Sequence, residues 1–222
     1  MLLTNILLAA IWLHSLLVAG DKESLADFRN EANKSLLTAG VYAKLLTERR
    51  AEHQIIIKKM LSSNNYEKNF KLLRLAYGKI FEIINDKNIT LTSRKYNPLR
   101  DGFPENAELQ DAVTLITENC CMAAESLLHF PEISYRIFGK QDTKWNEILT
   151  WCNEFVNSLP HIIDESTVKL MSLLIQEINE EQRMPDYLNP YYKESRTQVN
   201  KKKRKNKKQN RGPSLSRAKT EL

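Results

Sequence analysis

Apolar residues recur every three or four positions along most of this 222-residue chain. That spacing is the period of α-helices that bury one face. Only 6 glycines and 7 prolines interrupt it, too few for the many tight turns of a β-sandwich. No segment has the character of a strand. We therefore predict an all-α bundle of five to six helices, in one domain over residues 21–192.

Two long helices are expected to open the bundle. The first covers residues 21–60, with Leu46 and Ile57 on its apolar stripe. His53 lies on the same stripe, where a partly buried histidine is a better interpretation than a metal ligand. A turn at residues 62–67 leads into the second helix. Two such helices are predicted to pair as an αα-hairpin with a coiled-coil-like seam.

Proline and glycine residues interrupt the helical pattern after this hairpin. Pro98, Gly102 and Pro104 indicate a loop over residues 85–106. Four further helices are predicted, over residues 105–129, 132–138, 142–159 (capped by Asp142) and 165–180. The last helix is expected to turn inward Val168, Met171, Ile175 and Ile178. The large side chains of Trp145 and Trp151 are interpreted as core, with an aromatic binding surface as the alternative.

The positive charge of the chain is concentrated near its C-terminus. Residues 193–222 carry 12 Lys/Arg and 2 Asp/Glu, whereas residues 1–192 carry 21 and 25. The two segments therefore have net charges of +10 and −4. We predict a disordered basic tail over residues 193–222, and no nucleic-acid partner is expected, because the globular part has no basic face. The basic run of this tail comprises Lys201, Lys202, Lys203, Arg204, Lys205, Lys207 and Lys208.

The first twenty residues contain no charged side chain. An apolar run from Ile6 to Leu13 is followed by small residues at Val18 and Gly20, spaced as before a signal-peptidase cut. We predict a cleaved signal peptide over residues 1–20 and no membrane span after cleavage. An uncleaved membrane anchor and a buried helix are the alternatives.

Four residues at positions 219–222 resemble an endoplasmic-reticulum retrieval signal. Lys219, Glu221 and Leu222 match the form that a KDEL-type receptor recognises, and Thr220 stands where aspartate is usual. A signal peptide and a retrieval signal predict each other, because only a lumenal protein meets a lumenal receptor. We therefore expect residence in the endoplasmic-reticulum lumen with partial secretion. The basic run is then a cationic spacer that can touch an acidic partner, rather than a nuclear-import signal.

Two sequons for N-glycosylation accompany this prediction, at Asn33 and Asn88. Chance alone accounts for two such matches, so they gain meaning only if the chain enters the secretory pathway. Asn88 is the better acceptor because it is expected in a loop just past a helix. Asn33 is expected beside the apolar stripe of the first helix.

Three cysteines, Cys120, Cys121 and Cys152, allow one disulfide in an oxidising compartment. A bridge between the two adjacent cysteines would be strained. Either of them can therefore pair with Cys152, and we name Cys121 with Cys152 as the candidate pair. Three buried free thiols are the alternative.

Recognisable catalytic motifs are missing from the sequence. His53, His129 and His161 lie in separate segments without metal-ligand spacing, and no C-x-x-C or phosphate-binding loop occurs. We therefore predict a non-enzymatic protein with no catalytic residue, no metal, no cofactor and no small-molecule substrate.

Several segments occur in a characteristic order: "ITEN", "LLHFPEISYRIF", "KWNEILTWCNEF", "LMSLLIQEI" and, after a basic run, "RGPSLSRAKTEL". In this order they resemble the coiled-coil domain-containing protein 134 family. The resemblance implies a helical protein of the endoplasmic-reticulum lumen that can also be secreted. It further implies an adaptor that assists the lumenal Hsp90-type chaperone and limits its hyperglycosylation at the oligosaccharyltransferase–translocon.

Two other functions remain as alternatives. One is a secreted, cytokine-like helical regulator of MAP-kinase signalling, a role that the resemblance also implies. The other is a nuclear factor imported by the basic tail, which requires residues 1–20 to fail as a signal peptide.

Overall fold

The computed structural model describes residues 38–63, 65–139 and 143–192. These ranges contain seven α-helices and no strand, which confirms the all-α prediction. The helices are α1 (Ala39–Ser63), α2 (Tyr66–Ser93), α3 (Pro98–Asp101), α4 (Ala107–His129), α5 (Pro131–Phe138), α6 (Lys144–Asn157) and α7 (Glu165–Ile178). None of these helices is long and apolar enough to cross a bilayer. The predicted signal peptide, Asn33, Asp142, the basic run and residues 219–222 lie outside the described ranges.

Helix α4 is the centre of the bundle. It packs against α1, α2, α5, α6 and α7. Its side chains are buried on nearly every side, as expected for a helix that other helices surround. Asn106 caps its N-terminus by accepting hydrogen bonds from the backbone N–H groups of Glu108 and Leu109, at 3.0 and 3.1 Å.

Helices α1 and α2 both lie against α4 but run in opposite directions. The Tyr42 hydroxyl of α1 donates to the backbone oxygen of Thr114 at 3.1 Å. Eight residues later in α1, Arg50 contacts Glu125 further along α4, so α1 runs parallel to α4. Helix α2 is antiparallel to α4, with Lys87 paired to Asp111 at 2.9 Å. Both helices bury their apolar stripes mainly on α4 rather than on each other. The predicted seam therefore lies between each helix and α4, since α4 offers an apolar surface all round.

Helix α2 extends two turns further than predicted. Ile84 and Leu91, seven residues apart, are both buried, so the core-facing stripe continues through the polar stretch between them. The predicted loop over residues 85–106 is therefore wrong at its start, because the loop begins only after Ser93. Asn88 lies inside α2 and is half-buried, which corrects its expected place in a loop.

The later helices begin and end close to the predicted residues. Gly139, with a φ of 76°, ends α5 in a conformation that favours glycine. Asp164 caps α7 by accepting from the backbone N–H of Thr167 at 2.8 Å. Val168 does not face inward as predicted, because it is 43% exposed. Helix α7 instead buries Thr167, Leu170, Met171, Leu174 and Ile178, since it packs against both α4 and α6.

Candidate interaction surfaces and the polar core

A charged cluster lies inside the bundle where α1, α4 and α7 meet. Arg50 is only 8% exposed, and its Nε donates to Glu125 Oε1 at 3.2 Å. Its Nη1 donates to Ser166 Oγ at 2.6 Å and Thr167 Oγ1 at 2.8 Å. One guanidinium therefore joins three helices, and the fork of donors on arginine suits this task.

Burial controls the ionisation of this cluster. The interior raises the pKa of Glu125 to about 7 even though Arg50 favours its charged form. Partial burial works to raise the pKa of Asp164, but hydrogen bonds from Thr167 and Ser166 outweigh it and lower that pKa. Glu125 Oε2 accepts no hydrogen bond within the described residues. The cluster is therefore sensitive to the protonation of Glu125.

His53 occupies the core-facing side of α1, where its imidazole is half-buried. Burial, together with the charges of Arg49 and Arg50, lowers its pKa to about 4, so the imidazole is neutral at pH 7. Its Nδ1 is buried and has no hydrogen-bond partner among the described residues. No group of three or more His, Cys, Asp or Glu side chains in the described ranges could hold a metal ion.

The disulfide joins Cys120 to Cys152, with 5.4 Å between their Cα atoms. It connects the central helix α4 to α6. The candidate pair of Cys121 with Cys152 is therefore wrong, and Cys121 is a buried free thiol whose pKa burial raises to about 12. Consecutive residues on a helix point about 100° apart. Cys120 faces α6, and Cys121 lies near the charges of Arg50 and Glu125 instead.

An aromatic and basic surface is formed by the first turns of α2 together with α5. The rings of Tyr66 and Phe70 stack with centroids 6.4 Å apart. The Arg136 guanidinium lies 5.7 Å from the Tyr66 ring centre and 5.5 Å from that of Phe70. Arg136 also donates to the Tyr66 hydroxyl at 3.2 Å. Cation–π contacts of this kind hold the arginine in place while it remains exposed.

Arg74 adds a second cation on this side of α2, because it follows Phe70 by four residues and is exposed. Lys68 and Lys71 are also exposed, but Lys68 points away from the Tyr66 and Phe70 rings. Within the described ranges only Lys71 of the three has an ion pair, with Glu67. Tyrosine and arginine are enriched where proteins bind proteins. We call Tyr66, Phe70, Arg74 and Arg136 the basic–aromatic surface. No sequence pattern indicates this surface, because it forms only when α5 folds against α2.

The two tryptophans of α6 differ in their surroundings. Trp145 stacks on Phe138 with ring centres 4.6 Å apart and meets Tyr135 edge-on at 5.9 Å. Trp151 stacks on Phe155 at 5.1 Å. Both are half-buried. Trp145 is thus part of the packing between α5 and α6, whereas Trp151 also lines a groove on the outer face of α6.

Residues 179–192 are irregular but tied to the bundle. Arg183 Nη2 donates to the backbone oxygen of Glu177 at 2.7 Å, and Asn189 Nδ2 donates to that of Leu128 at 2.8 Å. The Tyr192 hydroxyl donates to Glu132 Oε1 at 2.5 Å. This strap, residues 179–192, places Tyr192 beside the junction of α4 and α5.

Comparison with known proteins identifies the family. A family model described as "ERK and JNK pathways, inhibitor" matches residues 28–216. The chain belongs to this family. It is 26% identical over 152 residues to coiled-coil domain-containing protein 134 of Xenopus tropicalis. It is 24% identical over 152 residues to the protein of that name in Mus musculus.

Each of these two alignments covers 68% of this chain and 65% of the relative. The chain thus matches slightly less than two thirds of the length of these relatives. No solved structure is detectably similar. Membership in the ERK and JNK pathways inhibitor family agrees with the helical fold of the described residues.

Proposed function

We propose that this protein is an adaptor of the endoplasmic-reticulum lumen that serves as a cofactor of the lumenal Hsp90-type chaperone. In this role it limits hyperglycosylation of that chaperone at the oligosaccharyltransferase–translocon. Residues 1–20 act as its signal peptide, and residues 219–222 bind a KDEL-type receptor. Part of the protein escapes retrieval and is secreted.

The Cys120–Cys152 disulfide is the observation that carries the proposed location. Structural disulfides form and persist in oxidising compartments such as the endoplasmic-reticulum lumen, and they are rare in the cytosol and nucleus. Both cysteines of the bridge are buried, so the disulfide stabilises the packing of α4 against α6. This supports the lumenal proposal over import into the nucleus.

The basic–aromatic surface supports a role in protein binding. It combines an exposed arginine, held by two aromatic rings, with the exposed Arg74 one turn after Phe70. Such a surface suits an acidic polypeptide partner, because complementary charge speeds association and selects against basic proteins. We propose that the chaperone, or the oligosaccharyltransferase–translocon assembly, contacts the bundle here.

Removal of residues 219–222 tests the location. We expect the truncated protein to move from the lumen to the medium, with the signal peptide cleaved. The matched control, Thr220→Asp, should be retained at least as well as the wild type, because it restores the usual residue of the signal. An unchanged distribution of the truncated protein would contradict lumenal retrieval.

The family description favours a second function, secreted regulation of the ERK and JNK pathways. It predicts that purified full-length protein, added to cells, lowers phosphorylation of ERK and JNK. Protein with a reduced and alkylated disulfide is the control, since its fold is compromised. No response at any concentration would eliminate this function for the secreted pool.

A further inference from the structure

A groove of about 360 Å³ follows the outer face of α6. Its lining consists of Thr143, Asn146, Glu147, Thr150, Trp151 and Glu154. Trp151 supplies an aromatic face that its stacking on Phe155 holds in position. The groove is separate from the basic–aromatic surface, which lies on α2 and α5.

The groove carries two carboxylates, Glu147 and Glu154. Glu147 and Glu154 are exposed and form no ion pair within the described ranges. They are seven residues apart, about 10 Å along the helix. Asn146 Oδ1 is buried and accepts no hydrogen bond there. Two carboxylates and an indole face together suit lysine and arginine side chains, which bind carboxylates and aromatic rings.

The surrounding half of the bundle has the same sign. Residues 143–192 contain 8 Asp/Glu and 3 Lys/Arg, whereas residues 39–93 contain 5 Asp/Glu and 10 Lys/Arg. A positively charged segment is therefore attracted to the α6–α7 side and repelled from α1 and α2. The sequence provides such a segment in residues 201–208, with seven lysines and arginines.

The length of the chain after the strap permits this contact. Tyr192 is held at Glu132, in the first turn of α5. The far end of α5 stacks on α6 through Phe138 and Trp145. Eight helical residues advance about 12 Å along α5, and Glu147 lies two residues after Trp145, about 3 Å further along α6. Residues 193–200 can span up to about 26 Å when extended, so the basic run can reach the groove.

We propose that residues 201–208 of this chain bind the α6 groove, with lysine or arginine side chains at Glu147 and Glu154 and along the Trp151 ring. A tether of this length gives an effective concentration in the millimolar range, so weak ion pairs suffice. The contact is screened by salt. An acidic partner competes with the groove for the same run.

Chemical cross-linking of the full-length protein locates the contact. A zero-length carbodiimide should join lysines of residues 201–208 to Glu147 or Glu154 within the monomer at low ionic strength. Cross-links of these lysines spread evenly over all exposed carboxylates would overturn the proposal. Cross-links to α6 found only in dimers would also overturn it, because the occupant would then be a second copy.

Limited trypsin digestion tests whether the two glutamates are required. We expect the Glu147→Gln/Glu154→Gln variant to be cleaved at residues 201–208 several-fold faster than the wild type at low salt, and equally fast at high salt. The control variant, Glu180→Gln/Glu181→Gln, removes the same charge from an exposed site outside the groove. Equal cleavage of all three proteins at low salt, or equal acceleration in both variants, would refute a specific contact at α6.

Discussion

Arg50 and Glu125 form an ion pair inside the bundle, at 3.2 Å, with side chains only 9% and 3% exposed. The pair connects α1 to the central helix, and the same arginine reaches the first turn of α7. Glu125 retains one carboxylate oxygen without a partner among the described residues. This pair is therefore both a link between three helices and a point at which the fold depends on protonation.

Replacement of Arg50 by methionine should strongly destabilise the protein. The change leaves Glu125 buried without its counter-charge, so the carboxyl must either stay unpaired or take up a proton. The cost is about 3–5 kcal/mol in free energy of unfolding when measured at pH 8, where the carboxyl would otherwise be ionised. Urea denaturation measures the loss. The double variant Arg50→Met/Glu125→Met should recover much of it. As a control, Lys71→Met removes an exposed pair and should change stability by less than about 1 kcal/mol. Equal effects of the two single variants would contradict this account.

Stability should fall as the pH rises through about 7 and level off above about 8. The folded-state pKa of Glu125 is about 7, above the value of about 4.3 for an exposed glutamate. The folded protein therefore binds more protons in this window, and its stability decreases as Glu125 ionises. Glu118 acts in the same direction, because burial raises its pKa to about 7.

His53 does not mask this effect. Its folded pKa of about 4 lies below the ordinary value of 6.5, so its contribution to stability is lost only as the pH falls below that value. Urea midpoints between pH 6.5 and 8 should therefore decline in the wild type. They should decline less in Glu125→Gln and Glu118→Gln. A flat wild-type profile would show that these carboxyls are not raised in pKa.

Loss of the disulfide should destabilise the bundle while leaving Cys121 unaffected. The bridge closes a loop with a sequence separation of 32 residues, and such a constraint contributes about 2–4 kcal/mol. Cys120→Ser should show this loss in urea denaturation. Cys121→Ser should retain the bridge, as seen by thiol alkylation of the denatured, unreduced protein. Alkylation of one cysteine in the wild type is expected, and three after reduction.

Charge reversal on the basic–aromatic surface should weaken partner binding. Arg136→Glu removes the cation that is held between Tyr66 and Phe70, so we expect several-fold less lumenal Hsp90-type chaperone to co-purify with the protein. Lys169→Glu makes the same charge change at an exposed position of α7 and is the control. Undiminished recovery with Arg136→Glu would place the interface elsewhere.

Glycosylation at Asn88 is expected to be partial. Its side chain is half-buried in α2, beside the Lys87–Asp111 pair, so a glycan must be attached before α2 packs on α4. Endoglycosidase treatment should shift only a fraction of the wild-type protein and a smaller fraction of Asn88→Gln. An identical shift in both would assign the glycan to Asn33.

The spacing of apolar residues predicted most of the helices, because a helix that buries one face requires an apolar residue every three or four positions. It did not predict the partner of each stripe. Helix α2 continues through Asn85 to Asn88 since Ile84 and Leu91 keep contact with α4 on either side of the polar stretch. The polar residues 85–88 were the reason that a loop was predicted at this point.

The polar core and the disulfide needed tertiary information for a different reason. Arg50 lies four residues after Leu46 and seven before Ile57, both buried, so its place on the apolar stripe was a usable signal of a buried cation. Adjacent cysteines offered no such signal. Which of Cys120 and Cys121 pairs with Cys152 depends on which side of α4 receives α6.

The strap also determines how mechanical load enters the molecule. Asn189 is hydrogen-bonded to Leu128, in the last turn of α4, and Tyr192 is hydrogen-bonded to Glu132 just beyond it. A receptor that pulls on the chain after Tyr192 therefore draws on the end of the helix against which most other helices pack. We therefore expect such a pull to load α4 and α5 before it loads α7.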